Sequence, residues 1–148
     1  MRFAVIGVGG VGGPYGAALA AAGQDVRFIA RGPHLAAMQS DGLRIVGEQE
    51  RHIQPVQATD DPSSVGAVDA ILYAVKLGAV ESAADLLPPL LGPDTAVLSL
   101  QNGVDAEDRL AKIIGPGHVM GGTAEIFAAI ESPGVIRQGS PFSRIRFG

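Results

Sequence analysis

Residues 1–22 of the chain read MRFAVIGVGGVGGPYGAALAAA and contain the pattern G-x-G-x-x-G at positions 7–12. The apolar side chains at residues 2–6 predict a short buried strand. Residues 14–22 predict a helix, because proline is tolerated in a first turn and small apolar residues follow it. A strand, a glycine-rich turn and a helix in this order form the setting in which the pattern binds a dinucleotide.

The glycines of this turn have separate roles. Gly7 permits the tight turn that leaves the strand, Gly9 lets a pyrophosphate approach the backbone, and Gly12 lets the helix pack close to the strand. The helix N-terminus presents N–H groups and a partial positive charge to the phosphates. The alternative is a glycine-rich turn without a ligand, in a chain with 21 glycines. We expect cofactor contacts from the whole turn, which comprises Gly7, Val8, Gly9, Gly10, Val11 and Gly12.

The composition is typical of one α/β domain, which we assign to residues 1–148. Hydrophobic residues make up 47% of the chain and aromatic residues 5%, so the core consists mainly of Ala, Val, Ile and Leu. Such a core suits a parallel sheet covered by helices. The net charge of −4 argues against nucleic-acid and anionic-membrane partners. The absence of cysteine excludes disulfides, thiolate catalysis and cysteine-based metal sites.

Neither a targeting signal nor a metal-binding pattern is visible. No segment has the ~18 consecutive apolar residues of a membrane span, and glycines at residues 7–13 interrupt the first apolar stretch. His34, His52 and His118 share no metal-ligand spacing. We therefore expect a cytoplasmic protein without a bound metal, in which the histidines pack or lie at the surface.

Strands and helices alternate along the rest of the chain. The patterns predict strands at residues 25–30, 70–75 and 96–100, and helices at residues 33–39, 80–91 and 105–114. They also predict a hairpin of residues 43–46 and 51–54, extended segments at 118–120 and 123–129, and a final pair of strands at 135–138 and 143–147. The turn Asp60-Asp61-Pro62 could cap a short helical piece, and Asp105 is a candidate helix cap. Pro88-Pro89 should end or kink the helix that precedes them. This alternation predicts a doubly wound, Rossmann-like α/β fold, with a mostly parallel sheet and helices on both faces.

Three polar side chains follow predicted strands, at the edge where such folds bind ligands. Residues 28–33 contain Arg31 but no carboxylate for a ribose 2′-hydroxyl, which favours a 2′-phosphate and therefore NADP(H). Lys76 suits a cofactor phosphate or a substrate carboxylate, and Asn102 suits the nicotinamide ribose or a substrate. The alternatives are a solvated arginine, a surface lysine and an ordinary Asn-Gly turn.

Several motifs together resemble the N-terminal domain of the ketopantoate reductase (2-dehydropantoate 2-reductase) family. Besides the glycine turn, they are Arg31-Gly32 with His34-Leu35, Ser40-Asp41-Gly42-Leu43, Val75-Lys76, Leu100-Gln101-Asn102-Gly103-Val104, Gly121-Gly122-Thr123 and Pro133-Gly134-Val135-Ile136. The resemblance implies hydride transfer from NADPH to the ketone of ketopantoate, which gives pantoate for pantothenate biosynthesis. It further implies that the glycine turn contacts the pyrophosphate, that Arg31 contacts the 2′-phosphate and that Lys76 lies by the cofactor. Asn102 would lie between the nicotinamide ribose and the substrate, and Phe127 would contact the cofactor through its backbone.

The chain departs from the family in its length. Family members continue into a helical second domain that carries the lysine proton donor and most substrate contacts. Neither Lys76 nor Lys112 matches that lysine, and the chain ends at Gly148. We therefore expect a cofactor-binding domain without a recognisable catalytic residue, which is not catalytically complete alone. Its uncovered apolar face predicts a homo-oligomer or association with a separate second domain.

Two other functions stay open at this point. One is a stand-alone module that binds or senses NADP(H). The other is the cofactor domain of a related 2-keto or 3-hydroxy acid dehydrogenase, since nothing in these residues fixes the substrate.

Overall fold

The computed structural model describes residues 1–103 and 105–148, in which two sheets and four α-helices are formed. The strands are β1 (Arg2–Ile6), β2 (Asp25–Ile29), β3 (Leu43–Gly47), β4 (Arg51–Ile53), β5 (Ala58–Thr59), β6 (Ala70–Tyr73), β7 (Ala96–Ser99), β8 (Val119–Glu125), β9 (Ala128–Ser132), β10 (Val135–Gln138) and β11 (Arg144–Phe147). The helices are α1 (Gly12–Ala21), α2 (Gly32–Asp41), α3 (Val80–Ala84) and α4 (Ala106–Ile114). Single 3₁₀ turns occupy Pro62–Ser64, Leu77–Ala79, Pro88–Leu90 and Pro116–His118. Within the described ranges, no helix has the length and apolar character needed to cross a bilayer.

The larger sheet has the strand order β11-β8-β7-β6-β1-β2-β5. Neighbouring strands from β8 to β5 are parallel, and β11 is antiparallel to β8. The chain first adds strands on one side of β1 and then continues with β6 on the other side. This order confirms the predicted doubly wound α/β fold. The topological switch point, where such folds bind ligands, lies at the carboxyl ends of β1 and β6.

The central strands are apolar on both faces because helices cover both faces. Successive side chains of a strand point to opposite faces of the sheet. Val5 and Leu72 accordingly belong to the core on the α1 side, whereas Ala4 and Ile71 belong to the core on the side of α3 and α4. None of the four is more than 5% exposed. This two-sided burial explains the continuous apolar runs that predicted these strands.

The smaller sheet has the order β4-β3-β10-β9 and covers the outer side of α1. A Cβ added to Gly13 would overlap the side chain of Ile136 on β10, and a Cβ on Gly16 would lie 2.5 Å from Phe28 Cε1 on β2. Helix α1 is therefore packed between two sheets, and its first six residues are all buried. Small residues are needed in this helix because both sheets approach its backbone closely.

The helix predicted over residues 80–91 is shorter in the structure, because α3 ends at Ala84. Pro88 and Pro89 have no N–H groups, so the helix cannot continue its hydrogen bonds through them. The chain tightens beforehand, with a hydrogen bond of 3.0 Å from the Leu87 N–H to the carbonyl of Ala84, and a 3₁₀ turn follows. The prolines thus end the helix, as predicted, but earlier than expected.

The prediction that the last two strands form a pair is wrong, because they belong to different sheets. Strand β10 pairs with β3 and β9, whereas β11 pairs with β8 at the edge of the larger sheet. Ser140 stabilises the segment between them: its Oγ accepts a hydrogen bond from the Phe127 N–H (3.0 Å) and donates one to the carbonyl of Phe142 (2.8 Å). Alternating side chains identify a strand but do not identify its neighbour.

The two candidate helix caps have different outcomes. Asp61 Oδ1 accepts a hydrogen bond of 2.9 Å from the Ser63 N–H and caps a 3₁₀ turn, as predicted. The prediction for Asp105 is wrong, because its side chain makes no capping hydrogen bond to α4. Its carboxylate lies 3.8 Å from Arg109 Nη1 instead, in an ion pair one helical turn away.

Candidate functional site

The turn between β1 and α1 lies beside the end of β6. Gly7 has a φ of +93°, and a Cβ on it would lie 2.7 Å from the carbonyl oxygen of Ala74. A Cβ on Gly12 would overlap the Gly7 carbonyl oxygen, and one on Gly10 would overlap the carbonyl oxygen of Ala128. The protein itself therefore requires glycine at these three positions.

Gly9 is different, because neither its conformation nor its protein neighbours require a glycine. Its φ lies outside the left-handed region, and a Cβ on it would meet no heavy atom within 4 Å. Its carbonyl accepts a hydrogen bond of 2.9 Å from the Gly13 N–H, so Gly9 lies where the hydrogen bonding of α1 begins. Open space therefore lies over the backbone at a helix N-terminus, which is where phosphates bind in folds of this kind.

Arg31 lies at the N-terminus of α2, just after β2, and its side chain is exposed. Its guanidinium makes no hydrogen bond or ion pair with any other residue that the structure describes. His34 connects α2 to the rest of the site, since its Nδ1 accepts a hydrogen bond of 3.0 Å from the Gly134 N–H. Burial lowers the pKa of His34, and the nearby carbonyl of Val8 partly offsets that change. The structure thus brings the start of α2 to the same side of the sheet as the glycine turn.

Lys76 and Asn102 follow the adjacent strands β6 and β7, and both side chains are exposed. Their loops are in contact, because a Cβ on Gly103 would lie 3.2 Å from Leu77 Cδ2. Parallel strands end at one edge of the sheet, so the two loops emerge side by side next to Ala74 and the glycine turn. The structure therefore brings together the predicted residues of three neighbouring strand ends.

The loop that carries Lys76 is held by Arg109 on α4. The Nη2 atom of Arg109 donates hydrogen bonds to the carbonyl of Leu77 (3.1 Å) and to Glu81 Oε2 (2.6 Å). The hydrogen bond from Arg109 lowers the pKa of Glu81 to about 2. The ion pair joins α3 to α4 beneath this loop.

A cleft of about 570 Å³ opens beside Asn102, at the carboxyl ends of β7 and β8. Its apolar lining includes Val11, Leu100, Ala124, Ile126 and Phe147, and its polar lining includes Asn102, Glu107, Thr123 and Arg146. Arg146 Nη1 lies 2.6 Å from Glu125 Oε1, so this guanidinium is already ion-paired within the protein. Val11 belongs to the glycine turn, which therefore borders the cleft.

Phe127 lies between β8 and β9, beside the residue whose carbonyl contacts Gly10. Its N–H donates a hydrogen bond to Ser140 Oγ (3.0 Å), and its carbonyl accepts one from the Gly139 N–H (2.8 Å). The ring is 77% exposed. A backbone contact with a cofactor would therefore have to use the second lone pair of the carbonyl oxygen, and this contact stays a prediction.

Residues 3–148 match the family model described as ketopantoate reductase PanE/ApbA. The chain belongs to the ketopantoate reductase family. It is 33% identical over 166 residues to a 2-dehydropantoate 2-reductase of Mesorhizobium japonicum, an alignment that covers 97% of this chain and 51% of that protein. It is also 33% identical over 141 residues to the enzyme of that name from Pyrococcus abyssi, with 93% of this chain and 44% of that protein covered. The chain thus spans about half the length of the curated relatives it matches.

Solved structures share the fold described above. A 2-dehydropantoate 2-reductase from Porphyromonas gingivalis is 37% identical with a TM-score of 0.90, covering 99% of this chain and 54% of that one. The enzyme of that name from Geobacter metallireducens has a TM-score of 0.93 at 30% identity and covers 100% of this chain and 49% of that one. A D-mandelate dehydrogenase solved with NADH and anilino(oxo)acetate has a TM-score of 0.85 at 25% identity, with 99% of this chain and 47% of that one covered.

The sequence did not indicate a role for four residues that hold these loops in place or line the cleft. Gln101 hydrogen-bonds to the carboxyl end of β6, and Arg109 hydrogen-bonds to the loop that follows it. Glu107 and Arg146 line the cleft. Only Gln101 gave a signal, as a polar residue between an apolar strand and Asn102. Arg109 has one partner at helical spacing, Asp105, but its contacts with Glu81 and the carbonyl of Leu77 are remote in the sequence. The partner of Arg146 lies on another strand. No spacing pattern indicates these longer-range contacts.

Two other features of the described residues bear on the chemistry. Lys112 is exposed in the last turn of α4, at the end of that helix remote from Asn102. No group of three or more His, Asp or Glu side chains in the described ranges is arranged to hold a metal ion. His52 Nε2 and His118 Nδ1 instead lie within hydrogen-bond distance of backbone carbonyls, 2.7 Å from that of Asp41 and 2.9 Å from that of Thr95, respectively.

Proposed function

We propose that this chain is the NADP(H)-binding domain of an oxidoreductase that reduces ketopantoate to pantoate. Family membership supports the reaction class. The observation that supports a bound cofactor is the open space at Gly9. No neighbouring protein atom requires a glycine there, and the position lies at the N-terminus of α1. Gly7, Gly10 and Gly12 shape this turn, and Val8 and Val11 complete it. A pyrophosphate over Gly9 would accept hydrogen bonds from backbone N–H groups and would lie at the positive end of the helix dipole.

Arg31 would select NADP(H) over NAD(H). Its guanidinium is exposed, unpaired among the described residues and located after β2, where dinucleotide folds bind the adenosine ribose. A guanidinium forms paired hydrogen bonds with a phosphate, and no carboxylate in residues 28–33 is available for a 2′-hydroxyl.

The nicotinamide half of the cofactor would lie toward Lys76, Asn102 and the cleft, near Phe127. The bound cofactor would supply the hydride. Asn102 would bind the nicotinamide ribose or the 2-keto acid, and Lys76 a phosphate or a carboxylate. The proton donor and most substrate contacts would come from a helical second domain, in the same protein or in a partner. The protein would act in the cytoplasm.

A titration with NADPH and NADH tests this proposal. The wild-type chain should bind NADPH more tightly than NADH, and Arg31→Ala should weaken NADPH binding by about 1–3 kcal/mol while NADH binding is nearly unchanged. Arg44→Ala is a matched control, because Arg44 is an exposed arginine on β3 in the smaller sheet. Equal affinities of the wild-type chain for the two cofactors would refute the role of Arg31. Binding of neither cofactor would refute the proposed function.

A second candidate is the cofactor domain of a related 2-keto or 3-hydroxy acid dehydrogenase. The similarity to D-mandelate dehydrogenase, whose structure contains NADH, favours it. Preference for NADH in the same titration would support this candidate. Tight NADPH binding without turnover in the presence of any second domain would support a module that senses the nucleotide.

A further inference from the structure

Gln101 is a buried polar side chain at the end of β7, directly before Asn102. Its exposed fraction is 9%. Its Nε2 donates a hydrogen bond to the carbonyl of Tyr73 at the end of β6 (2.8 Å), and its Oε1 accepts one from Ser99 Oγ (2.6 Å). The donor and acceptor ends of the amide thus each have a partner inside the protein, and Gln101 is also among the residues that line the cleft beside Asn102.

The hydrogen bond from Gln101 Nε2 extends the pairing of β6 and β7 beyond their last paired residues, Tyr73 and Ser99, whereas the one from Ser99 lies within the β7 segment. The carbonyl of Tyr73 also accepts a hydrogen bond of 3.0 Å from the Leu100 N–H. Two donors of one strand therefore converge on the last carbonyl of the other strand. Lys76 and Asn102 come shortly after this joint, so the separation of their backbones depends on it.

The same two loops are tied again farther from the sheet. Leu77 contacts Gly103, and its carbonyl accepts the hydrogen bond from Arg109. The outer contact involves the exposed Gly103 and the half-buried Leu77 and Arg109, whereas the hydrogen bonds of Gln101 are buried. A buried hydrogen bond of this kind fixes geometry more strictly than a surface contact does.

We propose that Gln101 is a positioning residue, which sets the spacing between the loops of Lys76 and Asn102 and thereby shapes the nicotinamide half of the cofactor site. The inference rests on the proposed NADP(H) function. It assigns Gln101 no contact with the cofactor. It therefore predicts that loss of the amide affects one half of the cofactor and spares the other.

Gln101→Met tests this, since it removes both hydrogen bonds and keeps a side chain of similar length. The affinity for NADPH should fall about tenfold, and the emission change of bound NADPH should be lost, because the nicotinamide is no longer held. The affinity for adenosine 2′,5′-bisphosphate should stay at the wild-type value, because that fragment would contact only Arg31 and the glycine turn.

Thr95 provides a matched control at the opposite end of the same two strands. It is 3% exposed, and its Oγ1 donates a hydrogen bond of 2.5 Å to the carbonyl of Val68 before β6. Thr95 Oγ1 also accepts a hydrogen bond of 2.8 Å from the Gly92 N–H. Thr95→Val therefore removes two hydrogen bonds, as Gln101→Met does, with little change of shape. It should lower the melting temperature in the manner of Gln101→Met, but the NADPH-to-fragment affinity ratio should stay at the wild-type value.

Three results would overturn the inference. The first is an unchanged NADPH affinity in Gln101→Met, and the second is an equal loss for NADPH and the fragment. If Gln101→Met does not fold, Gln101→Glu replaces it, because a carboxyl group donates to the Tyr73 carbonyl only while protonated. The ratio of its NADPH affinity to its fragment affinity, relative to the wild-type ratio, should rise as the pH is lowered from about 8 to about 6. A ratio that does not change with pH is the third result that would overturn the inference. A wild-type chain that binds neither ligand refutes the proposed function itself, and the inference with it.

Discussion

Four glycines within six residues form the turn between β1 and α1, and they are there for different reasons. At Gly7 the backbone has a positive φ, and at Gly10 and Gly12 the carbonyl oxygens of neighbouring residues occupy the space of a Cβ. At Gly9 the same space is open. The motif alone predicted the turn, but it could not separate these two classes, because the neighbours of Gly10 come from β9, more than a hundred residues later.

This difference between Gly9 and Gly12 gives a prediction at the scale of the residue. Gly9→Ala should leave the melting temperature unchanged or slightly raised, because the new Cβ meets no protein atom. It should nevertheless weaken NADPH binding by about 1–3 kcal/mol, because a bound pyrophosphate would have to move away from the new Cβ.

Gly12→Ala should lower the free energy of unfolding by about 1–3 kcal/mol even without cofactor. Gly117→Ala, at a remote surface turn, is the control in the calorimetric and binding measurements. Unchanged NADPH affinity in Gly9→Ala would contradict a pyrophosphate site at this position.

At the scale of the element, local patterns predicted most strands but not their neighbours. The apolar run at residues 70–75 has one explanation, burial on both faces, and the structure has β6 there. A strand was likewise predicted at Val135–Gln138 and the structure has β10 there, yet β10 pairs with β3 from the first third of the chain. The proline pair ends a helix for a local reason that the sequence shows. Strand pairing depends on which surfaces meet after folding, and no window of the sequence contains that information.

The ion pair between α3 and α4 should make stability depend on pH. Arg109 lowers the pKa of Glu81 from 4.5 to about 2. A carboxyl group with a lowered folded-state pKa stabilises the fold fully above its unfolded pKa, and loses that contribution as the pH falls toward the folded value. Glu81→Gln should therefore lower the melting temperature slightly at pH 6, and the difference from wild type should shrink between about pH 4.5 and about pH 2. Glu48→Gln, at an exposed turn, is the control for the general effect of acid. A difference that grows in acid would contradict the pairing.

At the scale of the whole molecule, the sequence predicted a site at the ends of particular strands, and the fold brings those ends together. Arg31 and Lys76 follow β2 and β6, which flank β1 in the sheet. Asn102 follows β7, which lies next to β6. The cleft beside Asn102 was not predictable, because β8, β11 and the start of α4 form it jointly. Its polar lining depends on strand register, for example Arg146 opposite Thr123, and register follows from packing of the complete sheet.

The same cleft decides how active this chain should be alone. Reduction of a ketone needs a proton for the developing alkoxide. Among the described residues, Glu107 and Arg146 are the ionisable side chains that line the cleft, and Arg146 is paired with Glu125. Lys112 lies in the last turn of α4 and is not among the residues that line the cleft. We therefore expect NADPH oxidation with ketopantoate to remain near the background rate for this chain. Addition of a separately produced helical domain of a family member should raise that rate if the missing donor is the reason. Substantial turnover by the chain alone would contradict this, and Glu107→Gln would then show whether the Glu107 carboxyl group supplies the proton.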